Sequence, residues 1–433
     1  MKITPEGRVY AFGATLCVAL TICSFYFGDR GGPYFMASLT VAGIAYLLAI
    51  REFFATPTLS PRVVVIGLVF ATVWHIAFLR QPPGNDDDIH RYVWDGRLQK
   101  LGYNPYLVVP SDPTAQHLHT AETRNLNNPD LPSPYPPGAQ LFFRAVTAIQ
   151  ESTFALKVAF VICEFAIVFV LLDFLRGSRQ GAHLVLAYAW NPLLAIEVAG
   201  SGHIDILGAL MLVVSAAALV RRRRATAAVA LALAIAVKFL PIVLLPLYWK
   251  RVRIRDAALG ATVVGLLYVP FLHHGRIPIG SLGTYVRSFR FNGPVFAALN
   301  GVASPQLLVG LAMLGGLVIA TWLRIRRSAS EWSGDLFAWP MAATLLCAPA
   351  VFPWYLLWLL PFLTSASTLL IIIWTVSVIP VYVEWHLRAL GRPWGALPGW
   401  VMVLEYGCVA IAAAIMLMPR SSHSRAANAQ QRK

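Results

Sequence analysis

Residues 85–106 read NDDDIHRYVWDGRLQKLGYNPY, and this stretch directly follows an apolar segment. It holds four of the twenty acidic residues of a chain that is 58% hydrophobic and only 13% charged. Asp86, Asp87 and Asp88 are consecutive, and carboxylates this close repel one another unless a cation or a polar partner relieves them. A carboxylate poised in this way can take a proton from a substrate hydroxyl. One aspartate would also suit a helix N-terminus, but three in a row exceed what capping requires.

The composition is that of a helical protein with many membrane spans. The chain has 433 residues, thirteen tryptophans and a mean hydropathy of +0.63, and apolar runs of about twenty residues recur along it. This leaves too little sequence for a soluble domain of any size. The net charge of +15 would suggest nucleic acid as a partner of a soluble protein. Here the basic residues form short clusters between apolar runs, as cytoplasmic loops do, so we expect a lipid bilayer and no nucleic acid.

The predicted fold is all-α and polytopic, with about 12–14 membrane helices or half-helices in one domain, residues 1–418. Between Arg224 and Lys250 a single crossing would leave one basic flank outside, so we expect a helical hairpin that turns near Lys238-Phe-Leu-Pro241. Two shorter elements should flank residues 351–355. Single spans are predicted at 9–27, 34–50, 62–80, 154–175, 183–200, 205–220, 257–271, 305–323, 368–383 and 399–418.

The distribution of basic residues predicts the orientation in an inner, or plasma, membrane. Clusters such as Arg221 to Arg224 and Lys250 to Arg255 are expected inside, which puts both termini in the cytoplasm. The polar tail 419–433 is expected to be disordered there. Residues 85–153 then form one long external segment, and an outer loop holds Glu384, His386 and Arg388.

The external segment should carry a helix. Residues 88–101 have helical spacing, with Ile89, Tyr92 and Leu98 loosely on one side, which predicts an amphipathic helix on the membrane surface. The Pro-rich run that ends at Gly138 cannot continue a helix, so an extended or turning path follows. A disordered linker is the alternative, but the aromatic content favours an ordered cap.

The candidate chemical groups fall on the same predicted outer side. Asp88 and Asp87 are candidate bases, with Asp95 further along the same helix. Outward cations are expected at Lys238, His203, Arg287 and Arg290. A lysine in an apolar hairpin is costly unless it meets an anion in a polar cavity, although a long side chain can also snorkel to the interface.

A second polar motif is Gly200-Ser-Gly-His-Ile-Asp205 at a span boundary, where glycines let the backbone approach closely. The alternative is a tight interhelical turn in which His203 only caps a carbonyl. No regular spacing links His203 and Asp205 to other histidines, so we predict no metal site and no cofactor. The five cysteines lie inside apolar segments and suggest packing roles.

These features together suit a lipid-linked phosphosugar. Its polyprenyl tail would stay in the bilayer, its phosphate would meet the cations, and its sugar would lie beside the carboxylate. A single displacement by an acceptor hydroxyl of a glycan or glycolipid would invert the anomeric carbon. A transporter or flippase of a lipid-linked glycan is the alternative from another class, but it should carry ionisable groups on both faces and an internal repeat.

Several motifs resemble integral-membrane glycosyltransferases of the C superfamily (GT-C), especially bacterial polyprenol-phosphate-mannose-dependent mannosyltransferases. The most specific is Asp87-Asp88-Ile-His-Arg-Tyr-Val-Trp-Asp-Gly-Arg97 followed by Gly102-Tyr-Asn-Pro-Tyr106. The supporting motifs, in the expected order, are Trp190-Asn-Pro-Leu193, Gly200-Ser-Gly-His203 with Asp205, Lys238-Phe-Leu-Pro241, Phe291-Asn-Gly293 and Pro353-Trp-Tyr-Leu-Leu-Trp358.

The resemblance implies a catalytic aspartate in the first external loop, at Asp88 with Asp87 as its neighbour, and a lipid-phosphate sugar donor. It implies that Lys238 binds the donor phosphate, and mannose is the sugar it suggests. Ser288-Phe-Arg290 departs from the family pattern, which has an aromatic residue and an acid there. We expect donor phosphate or sugar contacts from Lys238, His203, Asp205, Arg290, Asn292, Trp354 and Tyr355.

Overall fold

The computed structural model describes residues 3–84, 87–177, 180–299, 301–327, 333–395 and 397–418. It is 73% helical. No strand occurs in these ranges, where the extended pairings are isolated bridges such as that between Phe291 and Ala350. The predicted all-α, polytopic membrane fold is confirmed.

The first three helices are long and apolar enough to cross a bilayer. Each begins with a proline, whose missing N–H costs nothing in the first turn of a helix. They match the predicted spans at 9–27, 34–50 and 62–80. The three are α1 (Pro5–Phe25), α2 (Pro33–Ala55) and α3 (Pro61–Leu79).

The segment after α3 holds α4 (Asp88–Lys100), a 3₁₀ turn (Pro113–Leu118) and α5 (Pro137–Ile149). The helix predicted at 88–101 is confirmed. The prediction that it is an amphipathic helix on the membrane surface is wrong. Trp94 and Leu98 are fully buried under the loop that follows, and the opposite side of α4 packs on α5. Helix α5 was not predicted, because the Pro-rich run was interpreted as a non-helical path. Pro136 instead precedes the helix and Pro137 is its first residue, a position that proline favours.

The span α6 (Thr153–Gly177) agrees with the prediction, whereas the span predicted at 183–200 is broken. Its two parts are a turn with α7 (Val185–Ala189) and a π-helical segment (Leu194–Gly200), bent by 65°. The bend falls at Asn191-Pro192, because proline cannot donate to the preceding turn. The side chain of Asn191 instead accepts a hydrogen bond from the amide of Leu193 at 3.1 Å.

Helices α8 (Asp205–Val220) and α9 (Arg224–Val237) form an antiparallel pair joined by the arginine cluster. After α9 the backbone of Lys238 is extended, with φ −154° and ψ 152°. A 3₁₀ segment (Leu240–Leu244) and α10 (Leu245–Tyr248) then return the chain to the arginine cluster. The hairpin predicted to turn at Lys238 is therefore present.

The second half continues with five helices. The apolar unit of α11 extends through a 3₁₀ turn to Phe271. This unit and α14 are both long and apolar enough to cross a bilayer. The five are α11 (Ile254–Tyr268), α12 (Leu282–Ser288), α13 (Pro294–Leu299), α14 (Pro305–Arg326) and α15 (Asp335–Leu346).

Short 3₁₀ turns at Pro353–Trp358 and Leu360–Phe362 lead to α16 (Leu369–Ser377), α17 (Val383–Ala389) and α18 (Gly399–Leu417). Glu384, His386 and Arg388 lie on α17 and not in a loop. The prediction was wrong because the helical unit continues unbroken from Ala366 to Ala389. The tail 419–433 and Asp86 lie outside the described residues.

In all, the described ranges contain eight long apolar helices, one bent pair and three shorter apolar helices. These twelve elements fall within the predicted range of membrane helices and half-helices.

Candidate active site

A cavity of about 400 Å³ opens at the end of the bundle where α3 ends and α4 and α8 begin, which we call the cavity end. Carboxylates, cations and aromatic rings from seven separate segments meet there. Six of the nine predicted site residues line it. The lining is Asp87, Asp88, Leu126, Asn127, Asn128, Pro129, Pro134, Tyr135, His203, Lys238, Leu282, Tyr285, Phe289, Phe352, Trp354, Tyr355, Trp385, Arg388 and Trp394.

Asp88 begins α4 and reaches the cavity with 18% of its side chain exposed. Its Oδ1 accepts a hydrogen bond from Nδ2 of Asn127 at 2.5 Å. Its Oδ2 lies 3.9 Å from Nδ1 of His203, which is beyond hydrogen-bonding distance. This oxygen therefore has room to accept a proton from a substrate hydroxyl.

Asp87 lies beside it, but both of its oxygens are occupied. Oδ1 accepts from Nη2 of Arg30 at 2.9 Å, and Oδ2 accepts from the amide of Gly84 at 2.7 Å. The side chain is only 4% exposed. A buried carboxylate held by a guanidinium and an amide is an anchor, because breaking the pair leaves an uncompensated charge. Both aspartates line the cavity, and Asp88 is the one with an oxygen free of such partners, so the role of Asp87 as a base stays a prediction.

Arg30 is a residue that the sequence interpretation missed. It lies between α1 and α2 and is buried, and its second guanidinium nitrogen donates to Oγ of Ser201 at 2.7 Å. Arg30 thus ties the α1–α2 connection to Asp87 and to the glycine motif before α8. The predicted topology offered a signal, since it put Arg30 and Asp87 on the same side of the membrane.

Lys238 and Asp205 form the second charged pair. Nζ of Lys238 donates to both carboxylate oxygens of Asp205, at 2.9 and 2.7 Å. Asp205 does not line the cavity and also accepts from Nε1 of Trp358 at 2.7 Å. The lysine faces the cavity over the ring of Tyr355, 4.7 Å from its centroid.

His203 is held between carboxylates and an aromatic ring. Its Nε2 lies 3.1 Å from Oε2 of Glu197, and Glu197 also accepts a hydrogen bond from the hydroxyl of Tyr382. Its ring stacks on Trp354 with centroids 4.0 Å apart. Burial lowers the pKa of His203, but Glu197 and Asp88 outweigh it and hold the pKa above its ordinary value.

The turn before His203 requires glycine at position 202. Its φ of +75° is one that other residues rarely adopt, and a Cβ there would lie 2.5 Å from Cδ1 of Ile89 on α4. The glycine motif thus lets the start of α8 approach α4, which brings His203 to Asp88.

One wall of the cavity is a continuous stack of rings. Phe291 stacks on Phe352, Phe352 on Trp354 and Trp354 on His203, with centroids 4.4, 4.5 and 4.0 Å apart. Because neighbouring rings cover each other's faces, the stack fixes the orientation of the imidazole.

Arg290 is not among the residues that line the cavity, so its predicted donor contact stays a prediction. Its guanidinium donates to the carbonyls of Phe289 and Arg287 at 2.6 and 2.5 Å. It also lies 4.6 Å from the ring centroid of Phe296. The side chain therefore caps the end of α12.

Asn292 is also absent from the lining, for a different reason. Its Nδ2 donates to Oε2 of Glu405 at 2.7 Å, and Oε1 of Glu405 accepts from Nε1 of Trp374 at 2.7 Å. The Phe-Asn-Gly motif therefore anchors its loop to α18 and supports the aromatic wall from behind.

Asp95 is buried between α4 and α5, away from the cavity. It accepts hydrogen bonds from Ser133 and from Nε2 of Gln140, the latter at 2.8 Å. Burial raises its pKa to about 6. Asp95 therefore joins the two helices of the segment and does not extend the candidate site.

The other thirteen lining residues were not predicted as site residues, and three of them carry a charge or a stacked ring close to the cavity. Arg388 lies with its guanidinium 5.2 Å from the ring centroid of Trp394, and Tyr285 stacks on Phe289 with centroids 3.8 Å apart. Among the described residues, no three His, Cys, Asp or Glu side chains are grouped as a metal site would need. The absence of a cofactor stays a prediction.

A family model described as "Alpha-(1->6)-mannopyranosyltransferase, N-terminal domain" matches residues 20–252, more than half of the chain. This range includes Asp88, His203, Asp205 and Lys238. No curated protein and no solved structure matches the chain. The resemblance drawn from the motifs is confirmed, and it favours an enzyme over a transporter. The chain belongs to the alpha-(1->6)-mannopyranosyltransferase family and is a GT-C-type mannosyltransferase of the membrane.

Proposed function

We propose that the enzyme moves a mannosyl residue from a polyprenyl-phosphate donor to a hydroxyl of a glycan or glycolipid, with inversion at the anomeric carbon. The observation that supports this best is that the carboxylate of Asp88 and the ammonium of Lys238 face one cavity. A base for the acceptor and a cation for the leaving group are both needed in a single displacement.

Asp88 is the proposed base. Its Oδ2 takes the proton of the acceptor hydroxyl while the acceptor oxygen attacks the anomeric carbon. The bond between that carbon and the phosphate oxygen breaks, and the phosphate leaves with the electron pair. Asn127 holds Oδ1 and so fixes the direction in which Oδ2 points.

Lys238 is the proposed contact for the departing phosphate. Asp205 holds the lysine from behind, so its ammonium is oriented before the donor arrives, and a charge-assisted hydrogen bond can form without reorganisation. His203, Trp354 and Tyr355 surround the space between the two groups. The phosphate ends the step with one more negative charge, which the nearby ammonium stabilises.

We also propose that the new linkage is alpha-(1->6) and that the active site faces the periplasmic or extracellular side. The family description names an alpha-(1->6) linkage, which suggests a 6-hydroxyl as the acceptor group. The basic clusters at Arg221–Arg224 and Lys250–Arg255 lie at the opposite end of the helices from the cavity. The positive-inside rule therefore supports a cavity on the periplasmic or extracellular side and both termini in the cytoplasm.

The test is transfer by purified full-length protein from labelled polyprenyl-phosphate mannose to a mannoside acceptor. The expected product carries a new alpha-(1->6) bond. The same assay with nucleotide-activated mannose, or with another polyprenyl-phosphate hexose, should give no product. A chelator should leave the rate unchanged if no metal takes part. Transfer from the nucleotide sugar alone would overturn the proposed donor.

A further inference from the structure

The end of the bundle opposite the cavity carries a polar hollow of about 340 Å³. We call this end the basic end. Four arginines surround the hollow, namely Arg222, Arg224, Arg253 and Arg255. Asp256 also lines it, with one oxygen 3.9 Å from Arg255 and the other accepting from the Arg253 amide at 3.4 Å. Four guanidiniums around one carboxylate leave room for an anion.

Apolar grooves run from this hollow along both sides of α9. A groove of about 700 Å³ lies between α9 and α11, and Lys250 and Arg253 line it at the basic end. A groove of about 400 Å³ lies between α9 and α8 and shares Ala225 with the hollow. Because α9 is built largely from alanine, it is narrow, and this leaves a channel on each flank.

A further arginine lies in sequence between Lys250 and Val252, which both line the larger groove. Nε and Nη2 of Arg251 are shielded from solvent and have no hydrogen-bond partner in the described part of the chain. Burial and the neighbouring charge of Arg324 lower the pKa of Arg251 to about 10. Two guanidiniums that interact in this way repel each other, and a bound anion would relieve that repulsion.

We propose that an anionic phospholipid binds astride α9, with its phosphate in the arginine hollow and one acyl chain in each groove. A soluble anion would fill the hollow but would leave both grooves empty, whereas a diacyl lipid fills all three spaces. Basic pockets between membrane helices are known to take anionic head groups. This site is separate from the candidate active site, because α8 alone spans about 24 Å between them.

The experiment is native mass spectrometry of the full-length protein in detergent, titrated with phosphatidylglycerol or with phosphatidylcholine of the same acyl chains. Wild type should retain one phosphatidylglycerol and bind phosphatidylcholine about tenfold more weakly. The double variant Arg222→Gln with Arg253→Gln should lose about tenfold in phosphatidylglycerol affinity. Arg62→Gln, an exposed arginine at the start of α3 outside the hollow, is the charge control and should bind like wild type.

A second pair of variants tests the grooves. Ala261 lines the larger groove and is exposed, so Ala261→Trp should fill the groove without disturbing the core and should weaken lipid binding. Ala258→Trp, on an exposed position of α11 that lines neither groove, is the matched control. Equal affinity for both lipids would overturn the proposal. Binding that falls in the arginine variant but not in Ala261→Trp, with inorganic phosphate competing, would show a soluble-anion site instead.

Discussion

The ammonium of Lys238 lies 2.7 and 2.9 Å from the two carboxylate oxygens of Asp205, which is fully buried, while 21% of the lysine side chain is exposed. The lysine thus faces the cavity and the aspartate stands behind it. This arrangement fixes the cation in advance, and it makes each member of the pair costly to remove alone.

We predict that Lys238→Ala raises the KM for the donor at least tenfold and leaves the KM for the acceptor unchanged. The variant should also lose stability, by about 3–5 kcal/mol, because Asp205 is left buried without a cation. The double variant Lys238→Ala with Asp205→Asn should recover that stability but not the donor KM. Recovery of both would mean that the lysine acts only through the fold.

We predict that Asp88→Asn lowers kcat by about 10²–10⁴-fold, the usual contribution of a general base. The fold should persist, because the partly exposed side chain is isosteric and its Oδ1 contact to Asn127 can be kept by the new amide oxygen. Single-turnover transfer and thermal unfolding on the same samples check both points. A variant that is folded and still turns over near the wild-type rate would exclude Asp88 as the base.

Asp87→Asn should behave in the opposite way. The substitution leaves the buried Arg30 without its counter-ion, so we expect a loss of about 3–5 kcal/mol in unfolding free energy. The rate per folded molecule should fall less than in Asp88→Asn. The double variant Arg30→Met with Asp87→Asn is the matched control, since removing both charges should recover much of the stability.

Much of the fold could be predicted from the sequence, because apolar runs of membrane length leave few alternatives to a helix. The break at Lys238 was predictable for a different reason, because the basic clusters on both flanks required a hairpin between them. The bend at Asn191-Pro192 was not recognised, because hydropathy averages over a window and does not register one missing amide. Glu384 to Arg388 were assigned to a loop because charge ended the apolar pattern there, although the helix continues.

Candidate site residues were predictable where the side chain's charge was unusual for its surroundings, as with Asp88 and Lys238. Arg30 was missed because a lone arginine in a short connection looks like an interfacial anchor until its partner is known. Asn292 was predicted as a donor contact, whereas its side chain binds Glu405 and does not line the cavity. Its motif is tied to the site through the aromatic wall and Glu405, a relationship that sequence spacing cannot reveal.

We predict that Arg290→Gln leaves the donor KM within about twofold of wild type, because the guanidinium donates its hydrogen bonds to backbone carbonyls. Asn292→Ala should instead lower the melting temperature, because Glu405 loses a hydrogen bond inside the bundle. Donor titrations and thermal unfolding separate the two effects. A large rise in donor KM for Arg290→Gln, with stability unchanged, would return Arg290 to the donor site.

The last prediction concerns pH and Asp95. Burial raises the pKa of Asp95 from 3.8 to about 6, so the folded protein holds this proton more tightly than the unfolded chain does. Stability from this group is therefore greatest below about pH 4, falls as the pH rises to about 6, and stays lower above it, by up to about 3 kcal/mol.

Asp95→Asn has no proton to lose, so its unfolding free energy should not show this fall. Unfolding in mixed micelles between pH 4 and pH 7, on wild type and Asp95→Asn in parallel, measures the difference. Parallel curves for wild type and Asp95→Asn would mean that Asp95 does not titrate in this range.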